Sequence, residues 1–184
     1  MNRIRLLGAT AAVAFCAAIV ATGAMANPVV GGSAMYSSRN IIQNAMNSKD
    51  HTTLVAAVKA GGLVDTLEGA GPFTVFAPTN EAFAALPAGT VDGLLKPENK
   101  STLDKILTYH VVAGRLDTGA LDQQIMSGGG KAELKTVEGD TLTITGEGRK
   151  LMVTDDKGNV ANITIANVYQ SNGVIMVVDK VLMP

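Results

Sequence analysis

The apolar positions of this chain change period part-way along it. In the first two-thirds they recur at three- and four-residue spacing in short groups: Ile41, Ile42, Ala45 and Met46; Leu54, Val55 and Val58; Leu63, Val64 and Leu67; Val91, Leu94 and Leu95; Leu103, Ile106 and Leu107. Each group fits one side of a short helix. Asn40 precedes the first group, and Asp50 with Thr52 and Thr53 predicts a cap for the second, which stops at Gly61-Gly62. Gly69 to Pro72 breaks the third. Thr90 opens the fourth and Lys96-Pro97 closes it, while Ser101 to Asp104 predicts a capping box, with Asp in place of Glu, for the fifth. A further helical turn spans Thr118 to Ile125 before the loop Ser127 to Gly130.

One strand interrupts this helical part. Phe73 to Ala77 is β-branched and aromatic, which suits a buried strand, and Pro78 predicts its end because proline cannot donate to a ladder. Thr79 and Asn80 then predict the cap of a helix carrying Ala82, Phe83 and Leu86. Tyr109 to Val112 also reads as strand. After Lys131 strand signals dominate: Leu134 to Val137, Thr141 to Thr145, Lys150 to Thr154, Val160 to Val168 and Gly173 to Leu182. Glu138-Gly139-Asp140 and Asp155 to Asn159 have hairpin chemistry. Ala161, Ile163 and Ile165 alternate with Asn162, Thr164 and Ala166, predicting one buried and one wet face. Helices first and strands last predict an α+β domain.

The N-terminus follows a different pattern. Arg3 and Arg5, an apolar run from Leu6 to about Ala21, and Ala24-Met25-Ala26 have the form of a secretory signal peptide, predicting cleavage after Ala26. A retained membrane anchor and a lipoprotein using Cys16 are the alternatives; the small residues, the cleavage pattern and bulky Phe15 argue against them. Residues 27–37 are small and Gly-rich and predict a flexible lead-in, leaving 38–184 as one domain. Without Arg3 and Arg5 the chain carries 13 basic residues (15 less 2) against 16 acidic ones, a net charge near −3. No basic stripe is present, which argues against nucleic acid as partner. The single cysteine leaves with the leader, so stability must come from packing.

Candidate chemistry is sparse. Two histidines, His51 and His110, lie far apart, and no nucleophile elbow, phosphate loop, dinucleotide fingerprint or zinc-protease motif occurs. The sequence predicts neither an enzyme nor a cofactor. Asp155-Asp156-Lys157-Gly158-Asn159 superficially resembles part of a calcium loop but lacks the remaining ligands, and a hairpin turn explains it; no metal site is expected. Tyr109 and His110 sit among Ile106, Leu107, Val111 and Val112, a setting that favours buried rings with hydrogen-bonded polar tips.

Three ordered segments carry a family resemblance. Thr74 to Phe83 (Thr-Val-Phe-Ala-Pro-Thr-Asn-Glu-Ala-Phe), Ile106 to Val112 and Asn172 to Pro184 resemble signatures of fasciclin (FAS1) domains, over roughly residues 38 to 184. The resemblance implies a wedge of two β-sheets flanked by several short α-helices. It also implies adhesion or surface interaction through a protein or extracellular-matrix partner. In fasciclin domains the pair matching Tyr109-His110 has been proposed as an adhesion motif. Animal relatives have an Asp-Ile pair where this chain has Asn167-Val168, so integrin-type recognition is not expected. Tyr109, His110, Asn167 and Val168 are thus the candidate interaction residues. Met176 stands where relatives commonly have histidine, which excludes a shared histidine site with His110 and predicts core filling. Asn172-Gly173 is expected to supply a turn, and Asp179 to bond backbone or a nearby cation. Two other functions fit the sequence: a carrier of small ligands or lipids, given the 47% hydrophobic content and eight methionines, and a structural or stress protein of the envelope.

Overall fold

The computed structural model describes residues 27–147 and 150–184; the signal-peptide expectation for residues 1–26 lies outside the described residues. The strands are β1 (Val29–Val30), β2 (Ser33–Ala34), β3 (Phe73–Pro78), β4 (Val111–Ala113), β5 (Lys131–Lys135), β6 (Thr141–Glu147), β7 (Lys150–Thr154), β8 (Val160–Gln170) and β9 (Gly173–Val178). The helices are α1 (Ile41–Ala45), α2 (Thr52–Gly61), α3 (Val64–Glu68), α4 (Asn80–Ala84), α5 (Thr90–Leu94), α6 (Lys100–Tyr109) and α7 (Thr118–Ser127). The predicted α+β class is the observed one.

Seven strands form a ladder in the order β4-β3-β9-β8-β7-β6-β5. Only β3 and β9 run parallel, with Phe73 opposite Gly173 and Pro78 opposite Val178. The 11 residues of β8 serve two sheets: Val160 to Asn162 pair with β7, and Ile163 to Gln170 pair with β9. Two register shifts, between Ile163 and Ile165 and between Ile165 and Val168, each place one extra residue on β8. Such bulges bend a strand and increase its twist. The far ends of the ladder meet where Val112 bridges Thr136 and the Val137 N–H donates to the Val111 carbonyl at 2.8 Å. The result is a wedge of two sheets joined at β8.

The core has two parts, separated by β3 and β9. Val75, Ala77, Ile175 and Val177 face the helical layer, where Ile41, Leu54, Val58, Leu103 and Leu107 cover them. Phe76, Val174, Met176 and Val178 face the inside of the wedge, with Leu142, Ile144, Val153 and, from α7, Leu121 and Ile125. Burial on both faces explains why these strands read as continuous apolar runs without alternation.

Several expectations are corrected locally. The N–H of Thr53 near the start of α2 is capped by Asn80, not by Asp50: Asn80 Oδ1 accepts from the Thr53 N–H at 3.0 Å and the Thr52 hydroxyl at 3.2 Å. Thr79 alone caps α4, accepting from the Ala82 N–H at 3.2 Å. No capping box forms at Ser101, because α6 starts one residue earlier, at Lys100, without a side-chain cap. The capping box of this fold is Asn40 with Gln43 on α1. Tyr109 ends α6 and His110 is its C-cap, so neither lies in a strand. Ile163 and Ile165 are only half-buried, because the bulges break the predicted alternation. Residues 27–37 contain the β1–β2 hairpin, whose Val30 and Met35 are buried in the helix-side core.

Asn172 ties the layers together. Buried at the β8–β9 turn, it accepts from the Ile41 N–H through Oδ1 at 3.1 Å and donates through Nδ2 to the carbonyls of Leu67 at 2.7 Å and Gly69 at 2.9 Å. Its backbone carbonyl accepts from the Phe73 N–H at 3.0 Å. A Cβ at Gly71, which has φ 54, would collide with that same carbonyl. Asn172→Ala leaves one donor and two acceptors without partners, and we expect a loss of about 3 kcal/mol in urea unfolding; a change under about 1 kcal/mol would deny Asn172 this role.

Candidate functional site

Tyr109 and His110, the sequence's foremost interaction candidates, lie inside the protein. Tyr109 is 0% exposed and His110 is 3% exposed. The Tyr109 hydroxyl accepts from the Asp156 N–H at 2.9 Å and faces the Thr141 carbonyl at 3.5 Å. Burial pushes its pKa up to about 12. His110 Nδ1 is 2.8 Å from the Ile106 carbonyl, which can only accept, so Nδ1 carries the proton. Nε2 is then the free acceptor, and it takes the Leu182 N–H at 3.0 Å. Burial lowers the His110 pKa to about 4, against the opposing pull of the Ile106 carbonyl and Asp155.

Asp155 completes the arrangement. Its Oδ1 accepts from the N–H groups of Lys157 at 3.0 Å and Asn159 at 2.8 Å, and its Oδ2 accepts from the Met183 N–H at 3.0 Å. The Asn159 side-chain amide donates to both oxygens. These carboxylate oxygens serve a hairpin turn, as its sequence suggests. Together Tyr109, His110 and Asp155 clamp the end of α6 to the 155–159 turn and to the segment after β9. They join backbone groups, and they expose no nucleophile or open coordination position. Met176 fills the wedge core, 0% exposed. Asp179 accepts from the Asn162 backbone and side-chain N–H groups, both at 2.7 Å.

Asn167 and Val168 part company. Val168 is buried in the helix-side core, whereas Asn167 is half-buried at the second bulge with φ 57, a left-handed conformation that asparagine tolerates. Asn167 Oδ1 accepts from the Thr118 N–H at 2.8 Å, and its Nδ2 donates to the Thr118 hydroxyl at 2.7 Å. Beside it stands Tyr169, 41% exposed, whose hydroxyl donates to Asp117 at 3.2 Å. The Ala120 N–H, capped by Asp117, holds that carboxyl below the usual range. Arg115 donates to the carbonyls of Gln170 at 3.1 Å and Ser171 at 3.4 Å. Of this outer cluster of Arg115, Asp117, Asn167 and Tyr169, the sequence singles out Asn167 alone. The cluster forms only where the start of α7 crosses β8.

The histidine clamp sets a pH dependence. His110 ordinarily titrates near 6.5 and in the fold near 4, so between these values the unfolded chain binds a proton that the fold does not. Stability is therefore full above pH 6.5 and falls as the pH drops toward 4, by about 3 kcal/mol at the lower end. The pKa of His51 is also lowered by burial, with the same sign. Urea unfolding at pH 7.5 and pH 4 should show this loss, and His110→Gln should show a smaller one; equal losses in both proteins would remove His110 as its source.

The family model described as "Fasciclin domain" matches residues 49–184. The chain is 48% identical over 156 residues to Protein sll1483 of Synechocystis sp., covering 85% of this chain and 79% of that protein. It is 38% identical over 167 residues to Immunogenic protein MPB70 of Mycobacterium bovis, covering 88% and 78%. It is 36% identical over 191 residues to Cell surface glycolipoprotein MPB83 of the same species, covering 91% and 79%. Among solved structures, a FAS1 domain pair from the insect cell adhesion molecule fasciclin I superposes with a TM-score of 0.69 at 16% identity, over 79% of this chain and 51% of that one. This chain therefore spans about half of that domain pair. At that identity the likeness speaks for the fold alone. The chain belongs to the fasciclin domain family and has the FAS1 fold.

Proposed function

We propose that this protein is an exported surface-interaction module that acts by non-covalent contact with a protein or matrix partner. Membership of the fasciclin domain family supports the class of function, and one relative bears the name cell surface glycolipoprotein. The observation that carries the reading is the division of polar groups. Tyr109, His110 and Asp155 are consumed in internal hydrogen bonds, which favours binding over catalysis. Exposed aromatic surface is left at Tyr169 in the outer cluster and at Tyr36, whose ring Arg39 partly covers. The contact surface we propose is that of Asn167 and Tyr169 with Asp117 and Arg115, where an exposed ring lies among satisfied polar groups. Tyrosine in such a setting offers apolar area and a hydroxyl at low entropic cost.

Export rests on the leader pattern of residues 1–26. Among the described residues no helix is long and apolar enough to cross a membrane. Mass spectrometry of the exported protein should find Asn27 as its first residue; an intact Met1 would contradict cleavage.

Attachment of the producing cells to surfaces coated with residues 27–184 tests the contact reading. Attachment should be lost on heat unfolding and should fall several-fold with Tyr169→Ala, with urea unfolding of the variant showing that it is still folded. Asn167→Gly keeps the left-handed backbone while removing the side-chain bonds to Thr118, and it should weaken attachment too. Equal attachment to folded and unfolded protein would reject the reading.

A further inference from the structure

A cleft of about 550 Å³ opens between the end of α4, the turn at 155–159 and the segment after β9. Its walls are largely apolar: Ala85 and Leu86 on one side, Val160 beside the turn, and Val181 with Met183 on the final segment. Val160 is one of the few large apolar side chains that the described residues leave exposed. Lys180 is the one charged side chain in the lining, and among the described residues it forms no ion pair. Asp179, its neighbour in sequence, is engaged by the backbone and side-chain N–H groups of Asn162 instead.

The walls are fixed from behind. Asp155 accepts from the N–H groups of Asn159 and Met183, and His110 accepts from that of Leu182. The turn and the final segment are thereby locked to each other and to the end of α6. A site whose walls are already in place loses little binding energy to ordering them. The internal clamp therefore presents a formed cleft on its outer side.

We propose that this cleft binds a small apolar monocarboxylate, with the carboxylate on Lys180 Nζ and the hydrocarbon against Leu86, Val160, Val181 and Met183. The volume lies within the roughly 300–1,000 Å³ of small-molecule sites. A protein partner would need about 800 Å² of matching surface, which a cleft of this size does not supply by itself. An unpaired cation without a carboxylate beside it in the lining selects an anion, and a single cation selects a single charge. The aliphatic walls select a hydrocarbon body over a polar one. The cleft shares no residue with the contact surface at Arg115, Asp117, Asn167 and Tyr169, so the two readings stand or fall separately.

NMR of isotope-labelled protein of residues 27–184, titrated with octanoate at neutral pH, tests the proposal. One saturable set of shifts is expected, concentrated in residues 82–86, 158–160 and 180–183. Lys180→Gln should weaken binding about two- to fivefold, the contribution of an exposed ion pair, while Lys180→Arg should preserve it. Ala85→Glu sets a carboxylate in the lining and should weaken binding at least as much. Octyltrimethylammonium, with the same tail and the opposite charge, should not displace octanoate. Lys180 and Ala85 are both exposed, so the variants should keep the dispersed spectrum of the folded protein. If Ala85→Glu does not fold, Lys180→Gln still decides the matter. The absence of saturable shifts at millimolar octanoate, shifts centred elsewhere, or unchanged affinity in folded Lys180→Gln would overturn the proposal.

Discussion

The parallel pairing of β3 with β9 is buried on both faces, and the other elements are placed by the need to cover it. Phe76, Val174, Met176 and Val178 require apolar cover inside the wedge, and Val75, Ala77, Ile175 and Val177 require it on the opposite side. A single sheet with one helical layer could satisfy only one of these faces. The chain answers with helices α1 to α6 on one side and a second sheet on the other. Because β8 borders β9 and also begins the second sheet, it must bend, and its two bulges provide the bend.

Polar groups are spent at the seams of this arrangement. Asn172 joins α1, α3, β3 and the β8–β9 turn, while Tyr109, His110 and Asp155 join α6, the 155–159 turn and the segment after β9. Buried hydrogen bonds of this kind cost most when half-made, so they fix one arrangement of layers. The Tyr-His pair then acts from within, by holding the surface in shape. The proposed contact surface is the outer cluster before α7, where the Tyr169 ring is exposed beside Asp117.

Much of this was legible in the sequence. The change from helical to strand period points to the α+β class, and Phe73 to Ala77 marks the buried strand β3 directly. The caps were less legible because they act at a distance: Asn80 sits where it would cap α4 but reaches back 27 residues to the Thr53 N–H. The bulges in β8 left no composition signal, since Ile163 and Ile165 keep a strand-like alternation while the backbone register slips beneath them. The outer cluster was hidden for a similar reason. Tyr169 and Asp117 lie 52 residues apart and meet only through the crossing of β8 by the start of α7. The 29–34 hairpin is hard to read from sequence because Gly31 and Gly32 suggest a loose lead-in, whereas Val30 and the following Met35 are used by the core.

Native-state hydrogen exchange at the Leu182 amide tests the internal clamp most directly. This amide follows β9, outside any regular element, and among the described residues only His110 Nε2 accepts from it. At neutral pH it should be protected to the same degree as the β9 amides, and it should lose that protection selectively as the pH approaches 4, where His110 gains a proton. A Leu182 amide that exchanges freely at neutral pH, or whose protection ignores the titration, would contradict the account.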